Sequence, residues 1–132
     1  MTLIDSNVLI DVIGKDARWI DWSISHMNRQ AAAGPIYIND VIYAELAVKA
    51  ESETALDEVL RIIGVEFCAI PRKALFLAGK VFGLYRAAGG PRSSNLPDFF
   101  IGAHAEISEL PLLTRDPQRY RSYFPNVKLV AP

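Results

Sequence analysis

The chain has little from which a disulfide-linked or membrane-bound architecture could be built. It has a single cysteine, Cys68, in 132 residues. That excludes a disulfide framework and a cysteine-rich zinc site, and it favours the reducing cytoplasm as the protein's location. The longest stretch without a charged residue, Gln30 to Asn39, has ten residues and contains Gly34-Pro35. Because a membrane-spanning helix needs about 20 apolar residues, we expect no membrane segment, and we also expect no signal peptide, since Thr2-Leu3-Ile4 follows no basic leader.

The chain also lacks a strong net charge, but its charges are unevenly distributed. The net charge is −1, whereas residues 1–66 alone carry −6 and residues 67–132 carry +5. Such asymmetry is compatible with an anionic partner for the basic half, or with a solvated surface that has no partner. Hydrophobic residues make up 51% of the chain and charged residues 22%, which excludes a disordered chain and indicates one domain over residues 1–132.

Short apolar runs alternate with helical patterns along the sequence. Strands are predicted at residues 2–4, 36–38, 65–69, 112–114 and 127–130. Three helices are predicted to begin at caps: one from Asn7 to Ile13, one from Asn39 to about residue 49, and one from Ser52 to residue 63. Further helices are predicted at 17–33, 71–88 and 97–109, and a short helical turn is predicted after Pro117. This alternation predicts an α/β fold with a parallel sheet, in which ligands bind beyond the carboxyl ends of the strands.

Four acidic residues are expected at that edge of the sheet. Asp5 ends the first strand, Asp116 follows the fourth, Glu45 lies on the helix after the second strand, and Asp98 lies in the first turn of the helix that Pro97 opens. Two ionised carboxylates about 4 Å apart repel by about 4 kcal/mol at an effective dielectric constant near 20. Converging acids therefore need cations or shared protons, and hard oxygen ligands favour Mg²⁺ or Mn²⁺. Such an ion is suited to phosphodiester hydrolysis.

The segments around these acids carry a family resemblance. Leu3-Ile4-Asp5-Ser6-Asn7, Glu45, Pro97-Asp98-Phe99-Phe100 and Leu112-Leu113-Thr114-Arg115-Asp116 resemble, in order and spacing, the four acidic signatures of PIN-domain ribonucleases. The length of the chain is similar to that of the VapC-type toxins of bacterial toxin–antitoxin pairs. The resemblance implies a three-layer α/β/α sandwich around a central, mostly parallel sheet.

The same resemblance implies an activity and partners. The activity would be that of a Mg²⁺- or Mn²⁺-dependent endoribonuclease toxin that hydrolyses RNA through an activated water and leaves a 5′-phosphate. Asp5, Asp98 and Asp116 would hold the metal, and Glu45 would complete the catalytic set. Ser6, Asn7 and Thr114 would hold the carboxylates in place. The implied partners are RNA, an inhibitory cognate antitoxin and a second copy of the chain. Gly102 stands where this family often has alanine, and tight packing is a plausible reason.

Other interpretations of the same residues stay open. Asp5, Asp98 and Asp116 also suit helix N-termini, and Glu45 suits a solvated helix face. Arg92 and Arg115 are expected to bind RNA phosphates or to pair with the acids. Asp11 is expected to pair with Lys15 on an exposed helix face. His104 is not expected to be a ligand, and Tyr120 is expected to pack against the last strand. The alternative functions are a metal-dependent phosphatase, which would use Asp-x-Asp where this chain has Asn7, and a non-catalytic PIN-shaped binding module.

Overall fold

A five-stranded sheet forms the centre of the fold, and all of its strands are parallel. The computed structural model describes residues 1–91 and 96–132. The strands are β1 (Thr2–Ile4), β2 (Ile36–Ile38), β3 (Glu66–Phe67), β4 (Leu112–Leu113) and β5 (Leu129–Val130). Their spatial order is β3-β2-β1-β4-β5, with Leu3 opposite both Tyr37 and Leu112. The predicted mostly parallel sheet is therefore confirmed.

Helices pack around this sheet in an α/β/α arrangement. They are α1 (Ser6–Ile13), α2 (Ile20–Ala33), α3 (Asp40–Ala47), α4 (Glu53–Ile63), α5 (Arg72–Ala87), α6 (Leu96–Ile107) and α7 (Gln118–Tyr123). Helix α1 contacts α2 and α3, while α6 contacts α3, α5 and α7. Within residues 1–91 and 96–132, no helix is long and apolar enough to span a membrane.

The central strands are the most deeply buried part of the fold. Leu3, Ile4, Leu112 and Leu113 on β1 and β4 are completely inaccessible to solvent. Continuous apolar strands of this kind are typical of parallel sheets that are covered on both faces. Because the chain order reverses between β1 and β4, the crevice at their carboxyl ends is where a parallel sheet binds its ligands.

Helices α1 and α2 begin at residues other than those predicted, and the starts of α5 and α6 differ from the prediction by one residue each. Helix α1 begins at Ser6 with Asp5 in the N-cap position, so Asn7 lies inside the helix instead of capping it. Helix α2 begins at Ile20 rather than at residue 17, because the Asp16 carboxylate accepts hydrogen bonds from the amides of Arg18 and Trp19. Such a local side-chain turn competes with helical backbone hydrogen bonds. The predicted caps Asn39 and Ser52 are confirmed, since their side chains accept from the amides of Ile42 and Ala55.

Packing requires a glycine at position 102 on α6, where the sequence has glycine instead of the alanine that is common in the family it resembles. A Cβ atom at this position would overlap the ring of Phe124, which is buried. We expect Gly102→Ala to lower the free energy of unfolding by about 1 to 3 kcal/mol, the usual cost of overpacking a core. Gly79→Ala is the matched control, because a Cβ atom at this position on α5 meets open space. This variant should raise the free energy of unfolding by up to about 1 kcal/mol, since alanine favours the helix more than glycine does. Urea unfolding measures both, and a Gly102→Ala variant as stable as the parent chain would refute the packing explanation.

Candidate active site

The four predicted acids lie around the carboxyl ends of β1 and β4. Asp5 follows β1 directly, and Asp116 follows β4 after Thr114 and Arg115. Glu45 lies in the second turn of α3, and Asp98 lies in the first turn of α6. Asp116 is exposed, but it does not cap α7, which has Pro117 at its N-cap and no side-chain capping bond.

Asp5 is the buried centre of this group, with only 4% of its surface exposed. The hydroxyl groups of Thr114 and Tyr120 each donate to its Oδ2 at 2.9 Å. The side-chain amide of Asn7 lies 3.5 Å from the same oxygen and 3.3 Å from Thr114 Oγ1. The carboxylate is therefore fixed by groups from α1, α7 and the segment after β4.

Short polar links connect Asp5 to the other three acids. The Ser6 hydroxyl donates to Glu45 Oε1 at 2.9 Å and lies 3.5 Å from Asp5 Oδ1. The Tyr120 hydroxyl lies 3.4 Å from Asp98 Oδ1. The Thr114 hydroxyl, which donates to Asp5, accepts from the backbone amide of Asp116 at 3.1 Å. The structure thus places Asp5, Glu45, Asp98 and Asp116 around one network, with Ser6, Asn7 and Thr114 between them.

The electrostatics of the group follow from burial and mutual repulsion. Burial, with smaller contributions from Asp98 and Glu45, raises the pKa of Asp5 from 3.8 to about 6, although the bonds from Thr114 and Tyr120 act in the opposite direction. Burial is also the main reason why the pKa values of Glu45 and Asp98 are raised. Carboxylates with raised pKa values in one cleft are a feature of functional sites, because a fold seldom gains stability from them.

Two residues of α7 belong to this group, and the sequence interpretation did not place them there. Arg119 forms an ion pair with Asp98 through Nη1 and Oδ2. Tyr120, expected only to close the last strand, is 2% exposed and directs its hydroxyl at Asp5. Burial and the neighbouring Asp5 and Asp98 raise the pKa of Tyr120 well above its usual value, so it remains a neutral donor. One feature of the sequence could have indicated their role: Arg119 and Tyr120 lie three and four residues after Asp116, which is about one turn of a helix.

The hydroxyl of Tyr120 should control the protonation of Asp5. Tyr120→Phe removes a donor that favours the charged carboxylate, so we expect the pKa of Asp5 to rise above its present value of about 6. Carboxyl ¹³C chemical shifts followed through a pH titration would measure it. Tyr123→Phe is the matched control, because its ring packs against Tyr85 and Phe99 on the same side of α7. An Asp5 titration that is the same in both variants would contradict the assigned role.

A second ion pair, in which only the acid is buried, lies beside the site and corrects one expectation. Asp11 is 1% exposed and binds Arg115 Nε at 2.7 Å, so the predicted exposed pair of Asp11 with Lys15 is wrong. The Ser23 hydroxyl also donates to Asp11, and the Arg115 guanidinium lies 5.5 Å from the centre of the Trp19 ring. A buried carboxylate needs such partners, which i,i+4 spacing alone could not identify. The other proposed phosphate ligand, Arg92, lies outside the described residues.

A buried histidine links the helices that carry two of the acids. Asn39 caps α3 through Oδ1, and its Nδ2 lies 3.0 Å from Nδ1 of His104 on α6. Burial lowers the pKa of His104, so the neutral ring accepts from Asn39 and directs its Nε2–H towards Cys68 Sγ at 3.8 Å. This contact joins the start of α3, which carries Glu45, to α6, which carries Asp98.

The donor chemistry fits a hard divalent cation. All four acids offer carboxylate oxygens, which are the ligands that hard divalent cations prefer. Asp98 and Glu45 lie close enough to Asp5 to contribute, after burial, to its raised pKa, and a bound cation would relieve this repulsion. In the arrangement shown, however, no three His, Cys, Asp or Glu side chains within residues 1–91 and 96–132 are close enough together to hold an ion. Asp98 is instead neutralised by Arg119.

Comparisons with known proteins agree with this fold. A family model described as the PIN domain matches residues 2–124, so the chain belongs to the PIN domain family. PIN domains generally use divalent metal ions. A search of curated proteins finds no relative with significant sequence similarity.

Solved structures resemble the chain over almost its whole length. VapBC2 from Rickettsia felis, bound to a promoter DNA fragment, matches with a TM-score of 0.74 and 20% identity, covering 99% of this chain and 98% of that one. VapBC-1 from nontypeable Haemophilus influenzae matches with a TM-score of 0.72 and 14% identity, covering 98% and 96%. FitAcB from Neisseria gonorrhoeae matches with a TM-score of 0.64 and 16% identity, covering 98% and 96%. At these identities the likeness establishes a common fold.

Proposed function

We propose that this PIN domain is a VapC-type toxin, an endoribonuclease that depends on Mg²⁺ or Mn²⁺. The observation that carries the proposal is the network joining Asp5, Glu45, Asp98 and Asp116 at the carboxyl ends of β1 and β4. Membership of the PIN family and the likeness to VapBC structures support it. In this proposal the same four acids are the catalytic residues, and Asp5, Asp98 and Asp116 hold the metal.

Each residue has a part that its contacts support. Thr114 and Tyr120 hold Asp5 in one orientation, and Ser6 holds Glu45. Glu45 is half-buried with a raised pKa, so it is suited to orient the water that attacks phosphorus and to accept its proton. A bound Mg²⁺ or Mn²⁺ would supply charge neutralisation for the phosphate oxygens and a lower pKa for water.

The proposal is tested by incubating the purified chain with total RNA and mapping the new ends. Cleavage should require Mg²⁺ or Mn²⁺, stop in EDTA, and leave 5′-phosphate ends. Cleavage that persists in EDTA would exclude the proposed chemistry.

The phosphatase alternative is not favoured, because Asn7 occupies the second position of Asp-x-Asp and bonds to Thr114 and to the amide of Arg115. The binding-module alternative predicts no cleavage at all.

An antitoxin is the partner that this proposal implies. An apolar cavity of about 370 Å³ lies between α1, α3 and α4, and Ile10 and Ile13 at its edge are about two-fifths exposed. Since Asp5 is at the N-cap of α1 and α3 carries Glu45, a helix that binds there would run along both elements towards the acids. The chain should co-purify with the product of the neighbouring gene, and Ile10→Asp with Ile13→Asp should abolish the complex but not RNA cleavage. Retention of the complex would exclude this surface.

Two further parts of the proposal concern location and assembly. The protein would act in the cytoplasm, where RNA and a reduced Cys68 are both expected. A homodimer would place two acid sites in one particle, and sedimentation of the chain alone and with its antitoxin tests this directly. A monomer in both samples would contradict it.

A further inference from the structure

The ion pair between Arg119 and Asp98 lies at the rim of the acid site. Arg119 is on the short helix α7, next to Tyr120, which donates to Asp5. The side chains of Arg119 and Asp98 are 36% and 27% exposed, so the guanidinium group is in reach of solvent. Helix α7 therefore presents a cation to one acid and a hydroxyl group to another.

Arg119 differs in position from the other basic residues that the structure describes. In the part of the chain that the structure describes, it is the only basic side chain paired with one of the four acids, since Arg115 binds Asp11 and Arg61 binds Glu58. While Arg119 engages Asp98, no three acidic side chains there are arranged to hold an ion. A carboxylate oxygen bound to a guanidinium group is not free to coordinate a metal.

We propose that Arg119 is the counter-charge of Asp98 in the ion-free protein and exchanges with the divalent cation when the site is loaded, which frees its guanidinium group for an RNA phosphate. This inference rests on the proposed function. The exchange keeps Asp98 neutralised in both states, and it leaves Arg119 at the rim of the site. A planar guanidinium group binds phosphate oxygens through two parallel hydrogen bonds, a geometry that an ammonium group lacks.

The test compares Arg119→Gln with Arg121→Gln, which removes the same charge from an exposed position on the same helix. Titration calorimetry with Mn²⁺ should give about fivefold tighter binding for Arg119→Gln than for Arg121→Gln, because no ion pair has to be broken. In EDTA, Arg119→Gln should be the less stable of the two in urea. Its KM for RNA should rise about fivefold or more, and Arg119→Lys should restore the Mn²⁺ affinity of the parent chain but only part of the RNA binding.

The outcomes separate this inference from the proposed function. The exchange would be overturned if the two glutamine variants bound Mn²⁺ equally well, or if Arg119→Gln bound it more weakly. The proposed function would still be upheld in that case if the parent chain bound Mn²⁺ and cleaved RNA. An unchanged KM for RNA would overturn the phosphate contact. A parent chain that binds no Mn²⁺ would remove both proposals together.

Discussion

Replacing Asp5 with asparagine is expected to reduce RNA cleavage by more than about 100-fold while leaving the fold intact. Partners that only orient a metal ligand contribute about 10- to 100-fold, so loss of a ligand should cost more. Asparagine keeps the shape of the side chain, and its carbonyl oxygen can still accept from Thr114 and Tyr120, which both bond to one oxygen of Asp5. What the variant loses is the negative charge.

Initial rates on a defined RNA at saturating Mg²⁺ would measure the loss. Asp21→Asn is the matched control, because Asp21 is an exposed acid in the first turn of α2. The control should cleave at the parent rate. Near-parent activity in Asp5→Asn would show that Asp5 only positions α1, whose N-cap it occupies.

The same substitution should stabilise the ion-free protein at neutral pH. The pKa of Asp5 is about 6 in the fold and 3.8 ordinarily, so between these values the folded state binds more protons than the unfolded chain. Stability is therefore lost as the pH rises through that window, by up to about 3 kcal/mol at 1.36 kcal/mol per pKa unit. Asp5→Asn removes this loss and should be more stable than the parent chain by a similar amount at pH 7.

Urea unfolding in EDTA between pH 4 and pH 7 would test this. The difference in unfolding free energy between variant and parent should grow through the window and level off above it. A difference that is constant with pH would contradict the raised pKa. If both expectations hold, Asp5 lowers the stability of the fold and is required for cleavage. Such a trade-off between stability and activity is common at active sites.

The sequence was most informative where a side chain follows directly from the end of a strand. Asp5 and Asp116 could be placed because parallel strands bring their carboxyl ends to one edge of a sheet, and the apolar runs identified those strands. Glu45 and Asp98 were expected at the same edge from their places on the helices after the second strand and after Pro97, but their exact positions depend on how α3 and α6 pack on the sheet. The strand order, with β1 in the middle, came only from the structure.

The contacts of α7 and of Asp11 were beyond sequence interpretation. Arg119 and Tyr120 reach the acids because a six-residue helix turns back immediately after Asp116, and the direction of that turn is a property of tertiary packing. Asp11 pairs with Arg115, 104 residues away, although Lys15 offers ordinary helical spacing. Local patterns report neighbours along a helix, whereas buried charges choose partners in space.

Calorimetric titration of Mn²⁺ into the parent chain and into Asp5→Asn tests most directly whether these carboxylates form a cation site. The account predicts saturable binding to the parent chain, accompanied by proton release below about pH 6, and loss of that binding in the variant. The same binding in both proteins, or none in the parent chain, would contradict it.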